Sequence, residues 1–240
     1  MPDAKAELAP TGVLRAAINL SNFLLVTGKS ANGDPEGVAP DMARAIADRL
    51  GVPVKYVTFP RPGELADAAT KGVWDIGLIG AEPARAEQID FTPAYVEIES
   101  TYLVPAGSPL KTLADVDRPG IRIAIAGRAA YDLYLSRNLK HAELVRANSI
   151  DASFELFVKD KLDALAGLKP RLLSDVEKLP GARILDGNFT TVQQAIGTPK
   201  KRAAAAKFLR DFVEEAKASG LVAKLIERHK VRGLSVAPRS

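Results

Sequence analysis

The sequence predicts an α/β protein built as two lobes, each a mixed sheet flanked by helices. Strand-like and helix-like runs alternate along most of the chain. A glycine followed by a buried-looking strand and a polar loop occurs twice, at Gly12 to Leu20 and at Gly120 to Ala126. Extended segments near residues 97–103 and 189–196 are placed to cross between the halves as two hinge strands. The expected boundaries are residues 1–98 with 194–240 for the first lobe and 99–193 for the second.

Taken in order, Leu14 to Leu20 is the first strand. The clearest helix follows, because Met42, Ala45, Ile46 and Leu50 fall on one face of a 3.6-residue period. Asp41 is its expected N-cap, and Gly51 and Pro53 stop it. A strand over 54–59, a helix over 64–71 and a buried strand from Trp74 to Ile79 ending at Gly80 come next. Trp74 is expected in the core. After Gly107-Ser108-Pro109 the rhythm restarts with a short helix over 112–116. Strands are expected over 121–126, 143–146 and 163–166, with helices over 129–138 and 151–158. The run from Phe208 to Ile226 is helical with a break at Gly220, and 234–240 is expected to fray.

Composition excludes several classes of function. The 240 residues are 47% hydrophobic and 26% charged, ordinary for a globular protein with a sizeable core. No run approaches the roughly 20 apolar residues of a membrane span. The formal charge is +4 with the charges scattered, and the one compact basic run, Lys200-Lys201-Arg202, suits a solvated helix start better than a nucleic-acid patch. No cysteine is present, so disulfides, thiolate metal sites and cysteine nucleophiles are absent. His141 and His229 are expected at the surface rather than as a metal or catalytic pair. No nucleophile-elbow, zincin or phosphate-loop pattern occurs. Met1 to Lys5 lacks the basic and apolar regions of an export signal, which leaves a cytoplasmic protein or a mature chain with an added start Met.

One stretch is more specific. Trp74-Asp75-Ile76-Gly77-Leu78-Ile79-Gly80 is followed by Pro83-Ala84-Arg85 and then Asp90-Phe91-Thr92-Pro93-Ala94-Tyr95. Together with Thr11 to Arg15, Gly37 to Ala43 and Asp163-Ala164-Leu165-Ala166-Gly167, in this order, it resembles the family 3 extracellular solute-binding proteins of bacterial ABC importers, binders of polar amino acids. The resemblance covers about residues 11 to 228. It implies the two-lobed type II periplasmic-binding-protein fold, export to the periplasm with the leader removed, and action as a monomer without a cofactor. The implied partners are a small carboxylate-bearing ligand and the membrane permease of an importer. The implied function is delivery of that solute by hinge closure.

The resemblance also assigns a site. Arg85 matches the family's arginine for the ligand carboxylate, a role suited to a planar two-pronged donor. The alternative is a surface arginine pairing with Glu82 or Glu87. Gly80 and Ala81 match a loop whose backbone approaches the ligand, or form a simple turn. In the second lobe, Gly127, Arg128, Ala129 and Ala130 open a helix whose free amides suit an anion. Arg128 either binds a second anionic group or points to solvent. Leu168 stands where the family's amino-acid binders carry an aspartate for the α-ammonium, and leucine cannot offset desolvation of that charge. The ligand is therefore expected either to lack a standard α-amino group or to meet a substitute acid, Glu97, Glu99 or Glu82. Asn22, Phe23 and Phe59 are candidate pocket walls, with core packing as the alternative for the two aromatics; Gln193 and Gln194 are weaker candidates. An enzyme on the same fold, such as a cyclohexadienyl dehydratase-like lyase, is the competing reading. Glu97 would be its acid–base group.

Overall fold

A computed structural model describes residues 2–240. The chain divides into two compact units, Met1–Glu97 with Gln193–Ser240, and Ile98–Val192.

The first unit opens with a helix absent from the sequence reading, α1 (Pro2–Leu8), then β1 (Leu14–Asn19) and a small hairpin of β2 (Gly28–Lys29) and β3 (Pro35–Glu36). Next come α2 (Val38–Leu50), β4 (Val54–Phe59), α3 (Pro62–Asp67), β5 (Ile76–Gly80), α4 (Pro83–Ala86) and β6 (Ile89–Phe91). The strand β7 (Val96–Val104) leads into the second unit. There α5 (Leu113–Val116), β8 (Arg122–Ala126), α6 (Ala130–Asn138), β9 (Glu143–Ala147), α7 (Ile150–Lys159), β10 (Ala164–Leu168), α8 (Lys169–Val176) and β11 (Arg183–Ile184) follow. The strand β12 (Thr190–Pro199) returns to the first unit, which ends with α9 (Ala203–Ala218), α10 (Leu221–Arg228) and β13 (Ser235–Val236).

In the first unit β4, β1 and β5 are parallel neighbours, and β12 runs antiparallel to β5. In the second, β9, β8 and β10 are parallel and β7 runs antiparallel to β10. Both sheets are therefore mixed, as the sequence predicts. Parallel strands need helical crossovers, which cover the sheets and explain the unbroken apolar runs of β5 and β10, buried at every position. The first core joins β1 and β5 to α2 and α9 through Leu14, Ile18, Met42, Ile46, Ile76 and Leu209. Trp74 is buried, with its indole N–H donating to the Leu65 carbonyl at 3.2 Å.

Several expectations are corrected. The helix α2 begins at Val38, so Asp41 lies in its first turn and Gly37 is the cap. Gly37 has φ 146°, and a Cβ there would lie 2.2 Å from the Leu25 carbonyl oxygen. Only glycine fits that approach. Asp41 instead meets His229, whose Nε2 lies 2.8 Å from Asp41 Oδ2, so His229 is a packed helix contact rather than a free surface residue. The C-terminal segment is docked rather than frayed. β13 pairs with Val96 and Glu97, the Ala237 amide donates to the Tyr95 carbonyl at 3.1 Å, and Lys217 Nζ donates to the Pro238 carbonyl at 2.7 Å. Arg202 is not simply a solvated helix start either, because Nη1 reaches Asp75 Oδ1 at 3.2 Å.

In the second unit, Asp117 accepts the amides of Lys140, His141 and Ala142 at 3.0, 2.8 and 3.0 Å, tying the end of α5 to the approach of β9. Burial pushes this carboxyl up, but the amide donors outweigh it and hold the group below its ordinary 3.8. A depressed folded-state value contributes stability that is present above the unfolded value and lost as pH falls through the folded one. We expect Asp117→Asn to lower the urea midpoint at pH 7. The gap to the wild type should narrow below about pH 4, and a gap unchanged down to pH 2 would contradict this account.

Candidate functional site

In the first unit the site grows from the carboxyl end of β5. Its last residue, Gly80, lies opposite Gln194 of β12. Glu82 then takes an extended conformation (φ −143°) and caps α4, where Pro83 suits the first helical position because its missing N–H would have no partner there. This places Arg85 two residues after Pro83, folded back on the strand end. Its Nη1 donates to the Gly80 carbonyl at 2.7 Å, and the residue is only 5% exposed. The surface reading of Arg85 is thereby corrected: the guanidinium is buried and oriented against the end of the strand.

The neighbouring candidates fare differently. The Ala81 amide donates to the Gln193 carbonyl at 2.7 Å, so this backbone group is committed within the unit. Asn22 is buried, and its Oδ1 accepts from the amides of Leu24 and Leu25 at 3.2 and 3.3 Å, which makes it the organiser of the turn after β1. Phe23 follows in that turn and is 37% exposed, a large apolar side chain left at the surface. Phe59 packs against the cluster of Leu65, Trp74 and Ile79, which supports its core role. Glu97 lies in β7 opposite Ser235, its backbone engaged by the docked C-terminal segment. Gln194 is buried, and its carbonyl accepts from Tyr95.

In the second unit the turn after β8 places Arg128 in the left-handed region, with φ 64°. The Gly127 amide donates to Ala147 O, the Arg128 amide to Asp132 Oδ2 at 2.7 Å, and the Ala129 amide to Ala126 O. Those three amides are thus taken. The helix α6 itself begins at Ala130, and its first helical bond is Leu133 N–H to Ala129 O. The anion-favouring amides at the start of α6 are therefore those of Ala130, Tyr131 and Asp132, of which the expected opening Gly127 to Ala130 shares Ala130. Asp132 is 2% exposed and also accepts from Arg146 Nε at 3.0 Å, so it is a positioning group for the turn.

Leu168 ends β10, is buried, and lies opposite Ser100 of β7. The next residue, Lys169, places Nζ 2.8 Å from Glu99 Oε2. Glu99, one of the proposed substitute acids, is therefore paired with a cation of its own unit. Among the described residues no group of three or more His, Asp or Glu side chains is arranged to hold a metal, and no helix is long and apolar enough to cross a membrane.

Residues 22–231 match the model of the bacterial extracellular solute-binding proteins, family 3. The chain belongs to that family. A probable histidine-binding protein of Neisseria gonorrhoeae is 23% identical over 235 residues, covering 95% of this chain and 87% of the relative. Among solved structures, the solute receptor for L-cysteine of Neisseria gonorrhoeae matches with a TM-score of 0.77 at 19% identity, covering 98% of this chain and 99% of that one. An ancestral amino acid-binding protein, a precursor of cyclohexadienyl dehydratase, matches with a TM-score of 0.74 at 22% identity over 93% of this chain and 98% of that one. This family 3 chain thus has the type II periplasmic-binding-protein fold that its sequence predicts, and its relatives are named as amino-acid-binding proteins rather than enzymes.

Sequence reasoning missed two participants. Asp132 carries no local signal, since it acts on an amide four residues back and on Arg146 fourteen residues on. The Lys169–Glu99 pair spans 70 residues and depends on the β7–β10 register.

Proposed function

We propose that this chain captures a small carboxylate-bearing solute, an amino acid or related organic acid, in the periplasm and delivers it to an ABC importer. The observation that carries the reading is Arg85, buried at the carboxyl end of β5 and oriented by the Gly80 carbonyl. Ligands of open α/β sheets sit beyond the carboxyl ends of the strands, and a guanidinium is the side chain best matched to a carboxylate there. The first turn of α6, at Ala130 to Asp132, supplies a second set of donors for an anionic group. Closure of the two units over the solute would be driven by contacts made only in the closed state.

The nature of the solute turns on the α-amine. Leu168 offers no charge, and Glu99 already pairs with Lys169 at the surface. A ligand ammonium entering beside Leu168 would lose hydration without gaining a counter-charge. We infer that amine-free carboxylates are preferred over the matching L-amino acids. A thermal-shift screen of paired panels tests this, because a ligand at a hundredfold excess over Kd stabilises by about 2.7 kcal/mol. Stabilisation by amine-free acids at concentrations where the paired amino acids do nothing is the expected result. Equal or stronger stabilisation by L-amino acids would return the chain to amino-acid binding, with Glu82 or Glu97 as the acid.

A further inference from the structure

The second unit holds a cavity at the start of β10, the end of that strand opposite Leu168. It has a volume of about 350 Å³ and is lined by Pro105, Ala106, Phe157, Val158, Leu162, Leu179, Pro180 and Ala182, with Lys161 as its one charged residue. Leu162 precedes β10 whereas Leu168 ends it, so the length of a five-residue strand, about 17 Å, separates the cavity from the expected solute contacts. The volume lies in the range of small-molecule sites and holds roughly a dozen non-hydrogen atoms at ~30 Å³ each. Small residues keep it open: a Cβ on Gly181 would lie 2.9 Å from Ala106 Cβ. Its floor is the core cluster of Phe157, Leu162, Leu179 and Ala182, while Val158 on the wall is 45% exposed.

Lys161 is the unusual part. The Leu162 amide donates to Phe157 O and the Lys161 amide to Val158 O, so α7 ends in a Schellman turn with Lys161 at the left-handed position, φ 49°. Glycine is the residue that adopts this conformation without strain. Lys161 lines this apolar mouth, is exposed, and makes no ion pair among the described residues. We propose that this cavity is a second ligand site, separate from the solute site, for an apolar monocarboxylate whose acyl tail fills it and whose head meets Lys161.

Calorimetry of the full chain with hexanoate, octanoate and decanoate, and with octanol as the neutral match of octanoate, tests this. Arg85→Ala serves as the background, so that carboxylate binding at the solute site does not contribute. The expected result is one site per chain, affinity rising about threefold to fourfold per methylene, and octanol at least tenfold weaker than octanoate. Lys161→Gly relieves the left-handed strain and should fold at least as well as the parent, yet bind octanoate no better than octanol. Ala182→Trp should fill the cavity and remove binding of both. Equal binding of acid and alcohol, octanoate affinity untouched by Lys161→Gly, binding that survives Ala182→Trp in a folded variant, or no binding by any acid would each overturn the proposal.

Discussion

Replacing Arg85 with alanine is expected to lower affinity for the carboxylate solute at least a hundredfold while leaving the fold intact. The magnitude follows from losing two charge-assisted hydrogen bonds at about 1.5 kcal/mol or more each. The fold should survive because α4 is a single short turn and the Gly80 carbonyl, which accepts from Arg85 Nη1, can take water once the guanidinium is gone. Arg85→Lys keeps the charge but not the planar fork, so an intermediate loss is expected. Titration calorimetry of the three proteins with the best solute checks this, with circular dichroism confirming the fold. An unchanged affinity in Arg85→Ala would move the carboxylate site elsewhere.

The second large effect concerns stability. Asp75 is fully buried directly before β5, and its carboxylate is held by two arginines far apart in sequence. Arg15 donates through Nε to Oδ2 at 2.9 Å and through Nη2 to Oδ1 at 2.8 Å, its backbone amide donates to Oδ2 at 3.0 Å, and Arg202 adds the bond at 3.2 Å. The cluster joins β1, β5 and the start of α9, and through the Arg202 bond to Glu7 O it also fixes α1. Removing one partner of a buried ion pair leaves charge without compensation and costs about 3–5 kcal/mol. Asp75→Ala is therefore expected to lower the free energy of unfolding, read from urea melts, by that amount. The double variant Arg15→Met with Asp75→Leu should recover part of the loss. A loss below about 1 kcal/mol for Asp75→Ala would show that the cluster acts as an ordinary surface pair.

This cluster shows where the sequence is legible and where it is not. The helix α2 could be read because Met42, Ile46 and Leu50 repeat with a local period that one buried face imposes. The end of β5 could be read because Gly80 is local punctuation, whereas α4 was not read. Asp75 offered nothing beyond its place before β5, since both arginines arrive from 60 and 127 residues away. The docked C-terminal segment was invisible for the same reason: two residues of β13 carry no period, and their partner strand lies far back in the chain. Nothing local marked Arg128 as the left-handed residue of the turn before α6, where Asp132 holds its amide. The family resemblance therefore singled out Arg85, while the commitments of Ala81, Asn22 and Glu99 needed the paired strands and folded turns to be seen.

The central claim is that the chain recognises a carboxylate, and the most direct test is a matched pair. The best-binding acid from the paired panels and its primary amide differ by one charged group and little in size. Calorimetry on the unmodified chain is expected to show the acid binding at one site, with the amide weaker by at least a hundredfold. Equal affinity for acid and amide would contradict the account, because a site built on Arg85 has no reason to accept both.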